Sequence, residues 1–233
     1  CLAHGIKIPA LKQARAFGET LKPDLRELCQ RAWGVPVIDT YSAEEIGYIA
    51  LQCPRHEHYH VQSENVLVEI LDEQGRPCTP GEIGRVVITT LHNYAMPLIR
   101  YQIMDYAQAG EPCACGRGLP VITRVLGRER NLLTLPDGTL RWPSFLSQRW
   151  SSIAPLRQIQ LRQRSVENID FYYVAQRVLS ASEKSALVTV FQELLGYPFH
   201  IELHHVDEIR YSPNFKYEDF VSELAPAGGA RTG

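Results

Sequence analysis

The sequence has no apolar run approaching the ~20 residues that a membrane-spanning helix needs, so a helical membrane protein is excluded as a reading. It has almost no net charge: 24 Lys and Arg against 26 Asp and Glu leave −2, which argues against a nucleic-acid partner. It has few cysteines, six in 233 residues, too sparse for a disulfide-stapled scaffold. It has no internal repeat and no visible signal peptide. The first residue is Cys1, not Met, so either a start further upstream or a cut chain is expected. The default home is the cytoplasm. What remains is the composition of an ordinary globule, 45% apolar, long enough for one large or two small domains.

The pattern changes along the chain. Residues 7–34 read as a strand-like piece and then a helix: Pro23 suits its first turn, Leu21, Leu25 and Leu28 form an apolar stripe, and Gly34 closes it. Residues 35–39 read as a short buried strand with Asp39 at its C-terminal end, where open α/β sheets hold ligand residues, followed by a turn at Tyr41–Glu45. Residues 60–110 are β-rich. One alternating strand spans His60 to Leu71, another Arg85 to Leu91 and a third Ala95 to Tyr101, an arrangement expected of a small barrel or twisted sheet. Gly127-Arg128 begins something new. Beyond it come a hairpin signal at Leu135-Pro136-Asp137-Gly138-Thr139 and a helix from Ser144 to Ser152. Two strands follow at Gln158–Gln163 and Asp170–Ala175. A helix opens on the capping box Ser180-x-x-Glu183 and ends at Gly196, and the last strand covers Phe199 to Val206. The order β-β-α-β-β-α-β is that of a small α+β domain. The Gly-rich tail after Ala225 is expected to be disordered.

Two segments carry chemistry. The run Ala95-Met96-Pro97-Leu98-Ile99-Arg100-Tyr101 leads to Asp105, and the Cys113-Ala114-Cys115-Gly116-Arg117 knuckle follows. A carboxylate just past an apolar strand suits a vicinal diol, because it accepts two hydrogen bonds at once. The bland alternative is a surface ion pair of little worth. Cys53, His56, His58 and His60 lie upstream of the knuckle. Thiolate and imidazole in this pattern suit Zn²⁺, which takes four such ligands as a tetrahedron. The bland alternative there is two reduced thiols and a polar loop.

These segments resemble the adenylate-forming enzymes, specifically the phenylacetate–coenzyme A ligase group, which reads A-M-P-L-I-R-Y-x-T/I-G-D and then C-x-C-G-R. Met104 stands where the family has Gly. Gly18-Glu19 matches the family's G-E-x-L, Asp39 to Glu45 its D-x-Y-G-x-T/S-E, Gly127-Arg128 its hinge G-R, and Lys216 to Phe220 its terminal G-K-F-E-D-F. The family's Ser/Thr/Gly-rich phosphate loop belongs to an upstream half and does not occur here. The resemblance therefore implies the C-terminal portion of such an enzyme.

The implied fold class is α/β plus β. Residues 1–126 would complete the large domain with a small β-barrel-like subdomain, and residues 127–233 would form a small mobile α+β domain. The implied reaction joins a carboxylic acid, aromatic or related, to AMP from ATP with Mg²⁺, then passes the acyl group to coenzyme A. By resemblance, Tyr41 stacks on adenine, Asp39 borders it, Asp105 holds the ribose hydroxyls and Arg128 sits beside them. Glu45 holds Mg²⁺, and Lys216 contacts the carboxylate and the α-phosphate. Glu44 replaces the family's phosphate-binding Thr/Ser, and its charge would repel a triphosphate. The expected structural zinc ligands are Cys53, His60, Cys113 and Cys115, with His56 as the substitute fourth. The alternatives are a non-catalytic remnant that keeps a nucleotide site and a structural zinc, and a plain zinc-ribbon interaction module. Whether a missing N-terminal half or a homodimer completes the chain stays open.

Overall fold

A parallel strand pair bridged by a helix opens the protein, whose computed structural model describes residues 5–21, 23–145, 147–210 and 217–224. Strand β1 (Ala14–Phe17) and strand β2 (Val37–Ala43) run parallel, with helix α1 (Pro23–Trp33) between them in sequence. A parallel pair needs such a crossover, since a short hairpin cannot reverse direction twice. Gly34 ends the helix at φ 72°, a left-handed conformation that glycine adopts without cost.

The chain divides into two compact units, Cys1–Arg128 and Glu129–Gly233. In the first, β2 turns back into β3 (Gly47–Gln52). Then come β4 (Tyr59–Val61), β5 (Val66–Leu71), β6 (Ile83–Thr90), β7 (Tyr101–Ala109) and β8 (Val121–Arg128). With β1 and β2 they form one eight-stranded sheet, in the order β1-β2-β3-β4-β8-β7-β6-β5. Only β1–β2 pairs in parallel. Ile49, Ala50, Val66, Val86, Ile88, Ala107 and Ile122 are essentially inaccessible and form its core. Each large apolar side chain so buried contributes roughly 1.5–3 kcal/mol.

Four sequence expectations fail here. Residues 95–100 are not a strand. Pro97 has no N–H for a ladder, and Arg100 takes a left-handed φ of 49°. The loop is instead tied to the end of β6: Thr90 N–H donates to Leu98 O at 2.9 Å, and Thr89 Oγ1 accepts from Arg100 N–H at 3.0 Å. The strand begins where it was expected to end, at Tyr101. The single strand expected from His60 to Leu71 is broken by a turn, in which Gln62 O accepts from Asn65 and Val66. Tyr41 to Ala43 extends β2 rather than forming a turn, with a bulge between Tyr41 and Ser42. Gly127 and Arg128 do not open a new element. They end β8, paired with Tyr106 and Asp105 of β7.

The second unit begins with a short 3-10 turn at Glu129–Asn131. A hairpin follows, β9 (Leu133–Thr134) with β10 (Leu140–Arg141), whose turn holds Gly138 at φ 84°. Helix α2 is only Ser147–Trp150, shorter than the 144–152 expected. Then come β11 (Leu156–Gln163), β12 (Asn168–Ala175), α3 (Ala181–Leu195), β13 (His200–His205) and β14 (Phe220–Ser222). The sheet order is β13-β12-β11-β14. Helix α3 buries Leu187, Phe191 and Leu195, one face at intervals of four. Phe191 meets Phe171 edge-on with ring centroids 4.6 Å apart. Ser180 and Glu183 cap α3 reciprocally, and Gly196 closes it at φ 75°.

Candidate functional site

Strand pairing in the first unit brings distant residues together on β2, β7 and β8. Tyr41 O–H donates to Asp105 Oδ2 at 2.9 Å, across 64 residues of sequence. Arg128 Nε lies 3.8 Å from Asp105 Oδ1, because β7 and β8 set Asp105 directly opposite Arg128. Tyr41 is 8% exposed, while the side chains of Asp105 and Arg128 are 20% and 33% exposed. Burial first, and the Asp105 charge second, push the Tyr41 hydroxyl well above its ordinary pKa, so it stays a donor at neutral pH. Met104, immediately before Asp105, has φ 67°, a conformation costly for any residue but glycine.

Asp39 lies on the same strand but is closed in. It is 5% exposed, and Thr40 N–H donates to its Oδ1 at 2.8 Å. Tyr59 O–H makes a short bond to Oδ2. Gln52 Oε1 accepts from Asp39 N–H at 2.8 Å and from Arg26 Nη2 at 3.1 Å. Asp39 thus anchors a buried polar network; Arg26, Gln52 and Tyr59 belong to it and carry no sequence signal of their own. Glu44 and Glu45 sit exposed in the β2–β3 turn, and the Glu45 charge reaches Tyr41. Lys216 lies outside the described residues. Downstream of it, Tyr217 O–H bonds Ile159 O, and Ile159 N–H donates to the same hydroxyl at 2.9 Å.

The thiols and imidazoles form a second cluster. β4 pairs with β3 and β8, which brings the Cys53–His60 segment to the knuckle preceding β8. Cys53 Sγ is 3.9 Å from Cys113 Sγ, and Cys115 Sγ is 3.2 Å from His60 Nε2. A tetrahedral zinc with bonds of about 2.3 Å to sulfur and about 2.0 Å to nitrogen would set S···S near ~3.8 Å and S···N near ~3.6 Å. Backbone N–H groups point at the sulfurs: Arg55 N–H to Cys53 at 3.5 Å and Cys115 N–H to Cys113 at 3.4 Å. The Arg117 backbone N–H lowers the Cys115 pKa, favouring thiolate, while desolvation raises that of Cys113. Cys53 and His60 are fully buried, and His60 Nδ1 has no hydrogen-bond partner. Desolvation lowers the His60 pKa, so the ring is neutral and its lone pair available. His58 also belongs here: ligand atoms of Cys53, His58, His60 and Cys113 all lie within 4.8 Å of one another. His56 stacks on His58 at 5.0 Å.

No family model matches the chain. Among curated proteins it is similar to phenylacetate–coenzyme A ligase of Thermus thermophilus, 30% identical over 131 residues, covering 54% of this chain and 29% of that protein. It is similar also to phenylacetate–coenzyme A ligase of Escherichia coli K12, 25% identical over 147 residues, covering 60% and 33%. The chain thus matches about a third of the length of these curated relatives. Among solved structures, 2-hydroxyisobutyryl-CoA ligase in complex with an acyl-AMP superposes with a TM-score of 0.68 at 18% identity, over 90% of this chain and 48% of that one. The o-succinylbenzoate CoA synthetase of Bacillus subtilis gives 0.67 at 16%, over 94% and 47%. Fold and sequence together support a C-terminal fragment of the adenylate-forming superfamily of CoA ligases. Within it, the sequence similarity is to phenylacetate–coenzyme A ligases.

Proposed function

We propose that this chain is the part of an ATP-dependent carboxylic acid–CoA ligase that grips the nucleoside of the acyl-adenylate, and that the acid is aromatic or related. The observation that carries the reading is the convergence of Tyr41, Asp105 and Arg128 from three strands, at 2.9 and 3.8 Å. Asp105 offers its carboxylate to the ribose hydroxyls, Arg128 holds that carboxylate in place, and Tyr41 borders the adenine. Asp39 acts through its network, fixing β2 under Tyr41. Glu45 is the Mg²⁺ ligand, and Lys216 the cation that meets the substrate carboxylate and the α-phosphate. Residues 1–126 contribute the end of the large domain with its β-barrel-like subdomain, and residues 127–233 the mobile α+β domain. Zn²⁺ fits Cys53, His60, Cys113 and Cys115: the donor types and the Cys53–Cys113 and Cys115–His60 Nε2 spacings agree with a closed structural site. It would staple the β3–β4 segment to the β7–β8 connection.

Calorimetry with AMP and ATP tests the reading. Weak AMP binding, tighter than ATP, is expected, because Glu44 repels the additional phosphates. Cys1–Gly233 by itself releases no pyrophosphate, since it has no phosphate loop. Charge-assisted hydrogen bonds are worth about 1.5–3 kcal/mol, so Asp105→Ala should weaken AMP by roughly 10- to 150-fold. Glu44→Thr should narrow the gap between ATP and AMP. ATP binding as tight as AMP by the unmodified chain refutes the role of Glu44. No nucleotide binding at all favours a scaffold that keeps only its zinc.

A further inference from the structure

The thiol–imidazole cluster holds one donor more than a tetrahedral ion uses. Cys53, Cys113, Cys115 and His60 make four, and His58 is a fifth. Its ligand atom lies within 4.8 Å of those of Cys53, His60 and Cys113. His58, in the bend just before β4, and His60, on β4, both reach the cluster, while Tyr59 between them turns to Asp39. Their rings meet edge-on, 5.4 Å between centroids.

The neighbourhood holds His58 ready. Its backbone carbonyl accepts from Cys53 N–H at 2.8 Å, closing the 53–58 loop and fixing the two residues relative to each other. Its Nε2 is buried and has no hydrogen-bond partner, which is costly for a polar atom unless a ligand takes it up. Cys115, by contrast, sits on an exposed turn between exposed Ala114 and Gly116, whereas Cys53 is 1% exposed. Cys113 is half-buried in the same loop, but Cys113 belongs with Cys53, His58 and His60 to the set of ligand atoms within 4.8 Å of one another, and Cys115 does not, which makes Cys115 the ligand the others can replace.

Building on the zinc reading above, we propose that His58 is a reserve ligand: the site keeps its metal with His58 Nε2 in place of Cys115 Sγ, so it has two four-ligand sets that share Cys53, His60 and Cys113. Exchange swaps a thiolate for a neutral imidazole, so the ion with its ligands goes from three thiolates and a net −1 to two thiolates and a net charge of zero. No bond other than metal–ligand bonds is made or broken, apart from the proton the departing thiolate takes up.

The test uses the full chain in four forms, wild type, Cys115→Ser, His58→Ala and the double variant, with Cys53→Ser as control. Each is assayed for bound zinc and for the thiolate-to-metal charge-transfer band after cobalt(II) substitution. Wild type and His58→Ala should hold about one equivalent with the same spectrum. Cys115→Ser should also hold about one equivalent, its band reduced by about a third as three thiolates become two. The double variant and Cys53→Ser should lose the metal. Loss of metal from Cys115→Ser alone overturns the reserve role while leaving the zinc reading intact. So does metal retained by the double variant, or lost from His58→Ala. Insoluble Cys115→Ser beside soluble His58→Ala counts against it too, because a reserve ligand should sustain the fold. Metal-free wild type overturns both readings.

Discussion

Replacing Met104 by Gly and by Ala isolates one backbone strain beside the Asp105 carboxylate. Met104 has φ 67° and is 49% exposed. Both variants lose the same half-exposed thioether, so their difference reports the backbone alone. In ordinary strand conformation, Ala is favoured over Gly by roughly 0.5–1 kcal/mol, because Gly loses more freedom on folding. At left-handed φ, a Cβ costs roughly 1–2 kcal/mol. The two oppose each other, and the strain wins by about 0.5–1 kcal/mol. Met104→Gly should therefore be the more stable protein, by a factor of roughly 2–5 in the unfolding constant. Arg124 on β8 is an exposed strand residue without positive φ and serves as the control. There the order should reverse, with Ala above Gly. Urea unfolding gives both differences, read at equal m, with hydrogen exchange of β7 amides reporting the same opening. Met104→Ala more stable than Met104→Gly would refute the argument.

Three further outcomes follow from charges and donors in the structure. Purified protein should carry about one zinc, and Cys113→Ser or a chelator should lower its melting temperature sharply, since structural zinc contributes several kcal/mol to folding; unchanged melting of chelated protein ends that reading. Tyr59, like Tyr41, has its pKa raised in the folded state, by burial first and then its bond to Asp39, so its contribution is full below about pH 10 and is lost as pH rises beyond it. Stability should fall by up to about 1.4 kcal/mol per pH unit for each such group, and denaturant titrations of Tyr59→Phe should show roughly half the alkaline slope. At the acid end, Arg177 and then the Ser180 N–H hold Glu183 down to about 2, so its contribution is present above its usual pKa and disappears as pH falls towards 2. Glu183→Gln keeps the cap geometry but should flatten the pH dependence in that window, measurable by thermal melts.

Where the chain wrote its structure locally, the sequence could be read. Helix α3 is specified within its own residues: Ser180 and Glu183 start it, Leu187, Phe191 and Leu195 repeat at intervals of four, and Gly196 stops it. The strand misplaced at residues 95–100 shows the opposite case. Its apolar run looks like a strand, but Pro97 and the left-handed Arg100 prevent pairing, and what fixes the loop is Thr89 and Thr90 at the end of β6. Nothing in the run itself announces those contacts. The site behaves the same way. Asp105, Tyr41 and Arg128 were named through family resemblance; composition and spacing could not join residues 64 apart. The Asp39 network is likewise non-local, drawing on Arg26, Gln52 and Tyr59. His58 stands among the thiol and imidazole candidates by residue type alone, and the bend at residues 54–58 that brings it to the cluster has no periodic signal.

The bond between Tyr41 and Asp105 bears directly on how a ribose could be held. At first sight the carboxylate is already spent on the tyrosine. A carboxylate, however, has about four lone-pair positions. Tyr41 takes one, on Oδ2, and Arg128 approaches Oδ1 at 3.8 Å, outside hydrogen-bond range. The tyrosine contact and the proposed ribose contact therefore use different acceptor positions of the same carboxylate. In the proposed ribose role the tyrosine then acts by orientation. Its donated hydrogen bond fixes the rotation of the carboxylate. Removing the hydroxyl alone would free the carboxylate to rotate while leaving its charge and acceptors intact. Its cost to nucleotide affinity should therefore be a fraction of that of losing Asp105.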